Sequence, residues 1–88
     1  MGAPPEIPKL LSFMEANLGS EGKAKLIEQF GRSGITPQLL ATGTLSIEYK
    51  TALAKNIMEY CFKPTLQSQM KLRMIETQIC SILGIAVY

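Results

Sequence analysis

The apolar residues of the chain recur at intervals of three and four, which is the spacing of one face of an α-helix. In residues 8–18 the apolar positions are Leu10, Leu11, Phe13, Met14 and Leu18. In residues 21–30 they are Ala24, Leu26, Ile27 and Phe30. Gly19 and Gly31 follow these segments, and glycine readily adopts the left-handed conformation that ends a helix. We predict helices over residues 8–18 and 21–30, the second capped by Ser20.

A third and shorter helix is predicted in the middle of the chain. Residues 31–34 contain two glycines and should form a turn. Thr36-Pro37 then provides a hydroxyl cap followed by proline at the first helical position. Residues 38–41 complete about one helical turn before Gly43 stops it.

Two long helices are predicted in the C-terminal half. Ser46 should cap the fourth, over residues 47–62, which ends near Pro64 because proline cannot continue a helix. Thr65 should cap the fifth, over residues 66–83. Only a short break separates the two helices, and we expect them to pack as an antiparallel pair.

The fifth predicted helix has two apolar faces. One follows the 3-4-3 spacing of a coiled-coil seam and consists of Leu72, Ile75, Ile79 and Ile82. The residues that lie off this seam and widen it are Leu66, Met70, Met74 and Leu83. Gly84 fits the position after a helix end, with Ile85 placed to close the cap.

The two long helices have more apolar residues than one small core can bury. We therefore expect some of these residues to contact another protein. The residues expected to be almost fully buried are Leu53, Ile57, Ile75 and Ile79. The predicted interface consists of Leu66, Met70, Leu72, Met74, Ile79, Ile82, Leu83, Val87 and Tyr88. The pattern leaves open which face of the fifth helix is core and which is interface.

Composition agrees with a folded domain that has a partner. Apolar residues make up 47% of the chain, too many for a disordered protein, and charged residues make up 18%, few for a surface that only faces water. No run of alternating residues predicts a strand. We therefore expect one compact all-α domain of four to five helices over residues 6–88, with residues 1–5 as an extended lead-in.

The residue types present argue against catalysis. The chain has no His and no Asp, so it lacks a ready general base near neutral pH, imidazole ligands for a metal and the usual calcium loops. Its glycines do not match a phosphate-binding loop. We expect no enzymatic activity, no cofactor and no small-molecule substrate.

The two cysteines indicate the compartment. Cys61 and Cys80 lie in predicted helices among apolar residues, and we expect both to be buried thiols in a reducing compartment. A disulfide joining the two long helices is the alternative. No segment has the ~20 apolar residues that span a bilayer, and no signal peptide is recognisable. These features predict an intracellular protein, in the nucleus or the cytoplasm.

A helix-turn-helix is the alternative to a protein-binding module. Residues 36–42 and 47–62 could form its two helices, with Lys50, Lys55 and Lys63 contacting phosphates. The net charge is only +2, and Glu48 near the start of the second helix would repel phosphate. Any nucleic-acid binding should therefore be weak.

Residues 34–46 (GITPQLLATGTLS) and 53–60 (LAKNIMEY) carry a leucine pair, a Gly-x-Leu element and a basic amphipathic helix. In this pattern the chain resembles an uncharacterised helical module of insect nuclear and transposon-derived proteins. The resemblance covers about half of the chain and implies a nuclear or chromatin setting, without assigning any site residue. The length and helix number are also similar to sterile-alpha-motif domains, although the aromatic and glycine landmarks of those domains are displaced. The prediction is a non-enzymatic module that binds a protein partner or forms a homodimer.

Overall fold

All regular structure in residues 4–87, the part of the chain that the structure describes, is helical. The computed structural model contains five α-helices joined by turns and by two other helical segments. The α-helices are α1 (Glu6–Leu18), α2 (Gly22–Arg32), α3 (Pro37–Ala41), α4 (Ile47–Ile57) and α5 (Gln69–Leu83). A 3₁₀ turn, Gly19–Glu21, precedes α2, and a π-helical segment, Met58–Phe62, continues α4. The expected all-α class is confirmed.

Helix α1 begins two residues before the predicted start, at Glu6 rather than Pro8. Pro8 lies in the first turn, where its missing N–H would have no intrahelical acceptor in any case. Pro4 is buried, and its carbonyl accepts a hydrogen bond from the N–H of Ile7 at 3.0 Å. Residues 1–3 of the predicted lead-in lie outside the described residues.

The start and end of α2 differ from the prediction. Gly19 takes a φ of 74° and follows α1 as expected, but Ser20 belongs to the 3₁₀ turn and does not cap α2. A Cβ built at Gly22 would lie 2.6 Å from the carbonyl carbon of Met14, so this glycine lets α2 begin directly against the backbone of α1. Gly31, the predicted stop, instead lies inside α2. Its φ is not positive, and a Cβ built there would meet no atom within 4 Å.

The predicted start of α3 is confirmed. The Oγ1 of Thr36 accepts a hydrogen bond from the N–H of Leu39 at 3.1 Å, and Pro37 occupies the first helical position. The following helix also begins where predicted, at Ile47. Ser46 before it has the extended backbone of a cap residue, although its hydroxyl makes no capping hydrogen bond.

The end of the predicted fourth helix departs from α-helical geometry. The N–H of Lys63 donates to the carbonyl of Met58 at 2.9 Å, a bond that spans five residues instead of four. Met58, Cys61 and Phe62 of this segment are all buried.

The fifth helix starts three residues later than predicted, because Thr65 makes a different contact. Its hydroxyl donates back to the carbonyl of Phe62 at 3.2 Å, and the N–H of Leu66 donates to the same carbonyl at 2.8 Å. These bonds close the end of the π-helical segment instead of opening α5. Ser68 caps α5, with its Oγ accepting from the N–H of Lys71 at 3.3 Å.

The predicted end of α5 is confirmed. Gly84 is left-handed, with a φ of 73° and a ψ of 33°. The N–H of Ile85 donates to the carbonyl of Cys80 at 3.0 Å, and the N–H of Gly84 donates to that of Ser81 at 3.2 Å. This pair of bonds is the Schellman arrangement, and Ile85 packs against the core beside it.

The core lies where α1, α2, α4 and α5 meet, since α5 contacts both α1 and α4 and α2 contacts both α1 and α4. Leu53, Ile57 and Ile79 are fully buried as expected, but Ile75 is only half-buried. The buried residues of α5 are Leu72, Ile79, Cys80 and Leu83. Around the helix axis Leu72, Ile79 and Leu83 lie within about 40° of one another, whereas Ile75 and Ile82 lie about 60–80° to one side of Leu72, so the buried side of α5 is rotated away from the predicted seam.

The helices enclose this core in a compact body. The radius of gyration is 12.2 Å, against about 12 Å for a globular protein of this length. The body is flattened, with extents of 38 × 28 × 19 Å. In such a thin body the outer side of a helix has no second layer to cover it, and its apolar residues stay exposed.

Candidate protein-binding site

Two methionines stand out on the outer side of α5. Met70 is 75% exposed and Met74 is 58% exposed, and their four-residue spacing places them on the same helical face. Arg73, Thr77 and Gln78 line the shallow surface around them. We call these five residues the Met70–Met74 face. Methionine is flexible and polarisable, and it is common on surfaces that adapt to a partner.

A groove of about 350 Å³ adjoins the Met70–Met74 face. Along one side, α5 contributes Lys71, Met74, Ile75 and Gln78. The other side is formed by Asn17 and Leu18 at the end of α1, and by Phe62, Thr65 and Leu66 before α5. We call this cavity the α5 groove. It shares Met74 and Gln78 with the Met70–Met74 face, so the two form one continuous surface.

The end of the π-helical segment and the residues that follow it line the side of the groove that faces α5. Phe62 is almost fully buried, and its ring packs against that of Phe13 with centroids 6.2 Å apart and planes tilted by 55°. The two hydrogen bonds to the Phe62 carbonyl hold Thr65 and Leu66 against the end of the preceding helix. The groove is therefore fixed by packing and backbone hydrogen bonds.

The charges around this surface are all positive. Lys71 and Arg73 are the charged residues that line the α5 groove and the Met70–Met74 face, and no carboxylate lines either of them. Within residues 4–87 neither cation is in an ion pair. The acidic residue in the middle of α5, Glu76, lines a different cleft that contains Lys55 and Lys63.

The residues of the predicted interface separate into three groups. Met70, Met74 and Val87 are exposed, and Leu66 and Ile82 are half-buried. Leu72, Ile79 and Leu83 are buried against α1 and α4, which corrects their assignment to an interface. Tyr88 lies outside the residues that the structure describes. The groove residues Asn17, Leu18, Phe62 and Lys71 were not expected, since they come together only in the fold.

The lysines proposed for nucleic-acid contact make contacts within the protein. The Nζ of Lys50 lies 3.8 Å from a carboxylate oxygen of Glu6, and both side chains are less than a quarter exposed. The Nζ of Lys63 lies 3.4 Å from a carboxylate oxygen of Glu59. Lys55 is exposed. Two of the three lysines are thus paired with carboxylates of the same chain.

Both cysteines are unpaired and buried. Burial raises the pKa of the Cys61 thiol, with Lys25 and Gln29 acting in the opposite direction. Burial also raises the pKa of the Cys80 thiol, and Glu76 adds to that effect. A raised pKa keeps a thiol protonated and weakly nucleophilic. No group of three or more cysteine and carboxylate side chains in residues 4–87 is arranged to hold a metal ion.

Comparison of the chain with models of known protein families, with curated proteins and with solved structures finds no match. Among the described helices, none is long and apolar enough to cross a membrane. The physical properties of the surface are therefore the basis for a functional assignment.

Proposed function

We propose that this chain is a non-enzymatic protein-interaction module, and that the α5 groove and the Met70–Met74 face form its binding surface. The observation that carries the proposal is the exposure of Met70 and Met74 beside a preformed apolar groove. Single exposed apolar residues are ordinary on any protein, but a continuous apolar surface next to a cavity is typical of binding sites.

The architecture supports the same assignment. We propose that α4 and α5 pack as an antiparallel pair whose inner sides supply the core and whose outer side, on α5, is left for a partner. Leu72, Ile79 and Leu83 anchor α5 from the inside. A partner could then bind the outer side without rearranging the domain, because the groove is already formed.

A display library of random peptides tests the proposal. Peptides of about 16 residues, long enough for roughly four helical turns, are selected on the folded chain and counter-selected on a Met74→Lys variant. A second variant, Ile27→Lys, is the matched control, because Ile27 is 55% exposed and lies on α2, outside the proposed surface. We expect enriched peptides that bind the parent chain and the control and lose binding to Met74→Lys.

Two results would contradict the proposal. One is a selection that enriches no peptide above background on the parent chain. The other is a set of peptides that bind Met74→Lys as well as they bind the parent. Both substitutions replace exposed side chains and should leave stability within ~0.5 kcal/mol, which thermal unfolding verifies.

A further inference from the structure

Among residues 4–87, the charged side chains that line the largely apolar α5 groove and Met70–Met74 face are the two cations Lys71 and Arg73. From this combination we propose, resting on the function proposed above, that the occupant is an acidic amphipathic helix of a different protein. The charge, the shape of the groove and the behaviour of a second copy each bear on this assignment.

The charge of the surface selects an acidic partner. Lys71 and Arg73 have no carboxylate partner among the described residues, and Lys71 lies in the first turn of α5, where the helix dipole adds positive potential. Glu76 follows Arg73 by three residues but makes no ion pair with it, and it lines the other cleft with Lys55 and Lys63. A segment that carried Glu or Asp beside its apolar residues would pair with both cations as it bound.

The shape of the surface fits a helix. The four α5 residues that line the groove are Lys71, Met74, Ile75 and Gln78. Their spacings of three, four and seven residues place them on one face over about 10 Å, or two helical turns. A partner helix matches this length with two large apolar residues one turn apart, directed into the α5 groove, and with carboxylates on both flanks of its apolar face, because Lys71 and Arg73 lie on opposite flanks of the exposed side of α5.

A second copy of the chain is a poorer occupant. In a symmetric dimer the same face would meet itself, so the cations of one copy would approach the cations of the other. Among the described residues no carboxylate lines the face to pair with them. The resulting repulsion between like charges opposes the apolar contact, whereas an acidic partner gains from both.

The peptides selected on the parent chain provide the first test. We expect an excess of Glu and Asp over Lys and Arg, with paired large apolar residues three or four positions apart. Enriched peptides that are neutral or basic but still lose binding to Met74→Lys would overturn the acidic partner and leave the interaction module in place. An absence of groove-dependent peptides would overturn both.

Charge reversal provides the second test. A Lys71→Glu/Arg73→Glu variant should bind the selected peptide about tenfold more weakly. It should also prefer the same peptide with its acidic residues changed to Lys. A Lys9→Glu/Lys23→Glu variant is the matched control, since it has the same net charge and alters two exposed lysines outside the surface. Equal loss in both double variants would show that only net charge matters and would overturn the specific contact.

Two further measurements address other occupants. Sedimentation equilibrium at about 100 μM should give a monomer; a dimer that Met74→Lys dissociates would make the second copy the occupant and overturn the proposal. Co-sedimentation with phosphatidylglycerol vesicles should show no binding that depends on Met70 and Met74. Vesicle binding abolished by Met74→Lys, without groove-dependent peptide binding, would assign the surface to an anionic membrane instead.

Discussion

At the scale of single residues, Gln29 is the polar side chain that the sequence pattern did not identify. It is fully buried, and neither its Nε2 nor its Oε1 has a hydrogen bond of ordinary geometry. The amide lies near the thiol of Cys61 and acts against the rise in pKa that burial causes, but sulfur is a weak hydrogen-bond partner. Its position three residues after buried Leu26 was the available signal, since that spacing belongs to the apolar face of α2.

We expect Gln29→Met to stabilise the protein. The substitution keeps the length of the side chain and removes a buried amide whose unsatisfied groups cost about 1–3 kcal/mol. Urea denaturation should show a higher midpoint at an unchanged m-value. The control is Gln38→Met, at an exposed position of α3. A lower free energy of unfolding for Gln29→Met would show that the amide makes a stabilising contact and would contradict this prediction.

The buried thiols predict a decline in stability at alkaline pH. Burial raises the pKa of Cys61 and Cys80 in the folded protein above the ordinary value of 9.0. Below pH 9 the thiols are protonated in both states and this contribution is fully present. Above pH 9 the unfolded state loses protons first, so the free energy of unfolding falls until the folded thiols also titrate.

The measurement is urea denaturation between about pH 8 and pH 10.5 on the parent and on a Cys61→Ala/Cys80→Ala variant. The variant should be less stable at pH 8 because buried atoms are removed, but its stability should fall less steeply above pH 9. Parallel curves for the two proteins would refute a thiol contribution. Added reductant should leave the melting temperature of the parent unchanged, because neither thiol is in a disulfide.

At the scale of the elements, the sequence correctly predicted helix ends that are set by residues at the end itself. Thr36-Pro37 caps the start of α3, and the left-handed Gly84 ends α5. Ser20 and Thr65 are equally good caps by residue type, but neither caps the predicted helix. Ser20 lies inside the 3₁₀ turn, and the hydroxyl of Thr65 donates to the carbonyl of Phe62. Competing contacts of this kind depend on how neighbouring helices meet, which no single segment of sequence contains.

The two glycines of α2 should respond oppositely to alanine. In Gly22→Ala the new Cβ would lie 2.6 Å from the backbone of Met14, so α1 and α2 must separate. We expect a loss of ~1–3 kcal/mol, the usual range for overpacking. Gly31→Ala meets no atom within 4 Å and should stabilise α2 by up to ~1 kcal/mol. Denaturation of both variants gives the comparison, and a neutral Gly22→Ala would argue against the close contact between the helices.

Two isoleucines of the predicted seam on α5 should differ in the loss of stability that alanine causes. Ile79→Ala should cost ~2–5 kcal/mol because Ile79 is fully buried. Ile75→Ala should cost less, below about 2 kcal/mol, because Ile75 is half-buried at the edge of the α5 groove. Chemical denaturation measures both losses. Equal losses would mean that Ile75 belongs to the core and that the buried side of α5 includes the predicted seam.

At the scale of the whole molecule, the sequence predicted the helical class, and it assigned to the proposed interface Met70 and Met74, which are exposed. It did not predict the groove beside them. Asn17 and Lys71 are 54 positions apart in the chain, and they line one cavity only because α1 packs against α5. Hydrophobic periodicity reports which side of a helix is apolar, but the neighbour that covers that side is a property of the assembled fold.

We expect nucleic acid to bind weakly and without sequence preference. Lys50 and Lys63 are already paired with Glu6 and Glu59, and the net charge is only +2. Dissociation constants for a labelled duplex should be no tighter than ~10⁻⁴–10⁻⁶ M at physiological salt. Anisotropy titrations at about 50 and about 200 mM salt should show binding that falls steeply with salt. Sub-micromolar binding that survives the higher salt and is lost in Lys50→Glu/Lys55→Glu would make the helix-turn-helix interpretation the better one.

The π-helical segment Met58–Phe62 makes the length of this chain, as well as its residue types, a determinant of the proposed binding surface. A π turn holds one residue more than the α turn it replaces. A homologous chain with one residue fewer between positions 57 and 63 can therefore close this turn as ordinary α-helix and enter the turn before α5 with its side chains in the same orientation. An added residue that was wound into the α-helix would instead rotate the following side chains by about 100°, and the counterpart of Phe62 would no longer face Phe13. Homologues that share this groove should therefore keep the spacing between α4 and α5, or lose one residue together with the π turn, even where the residues in between have changed.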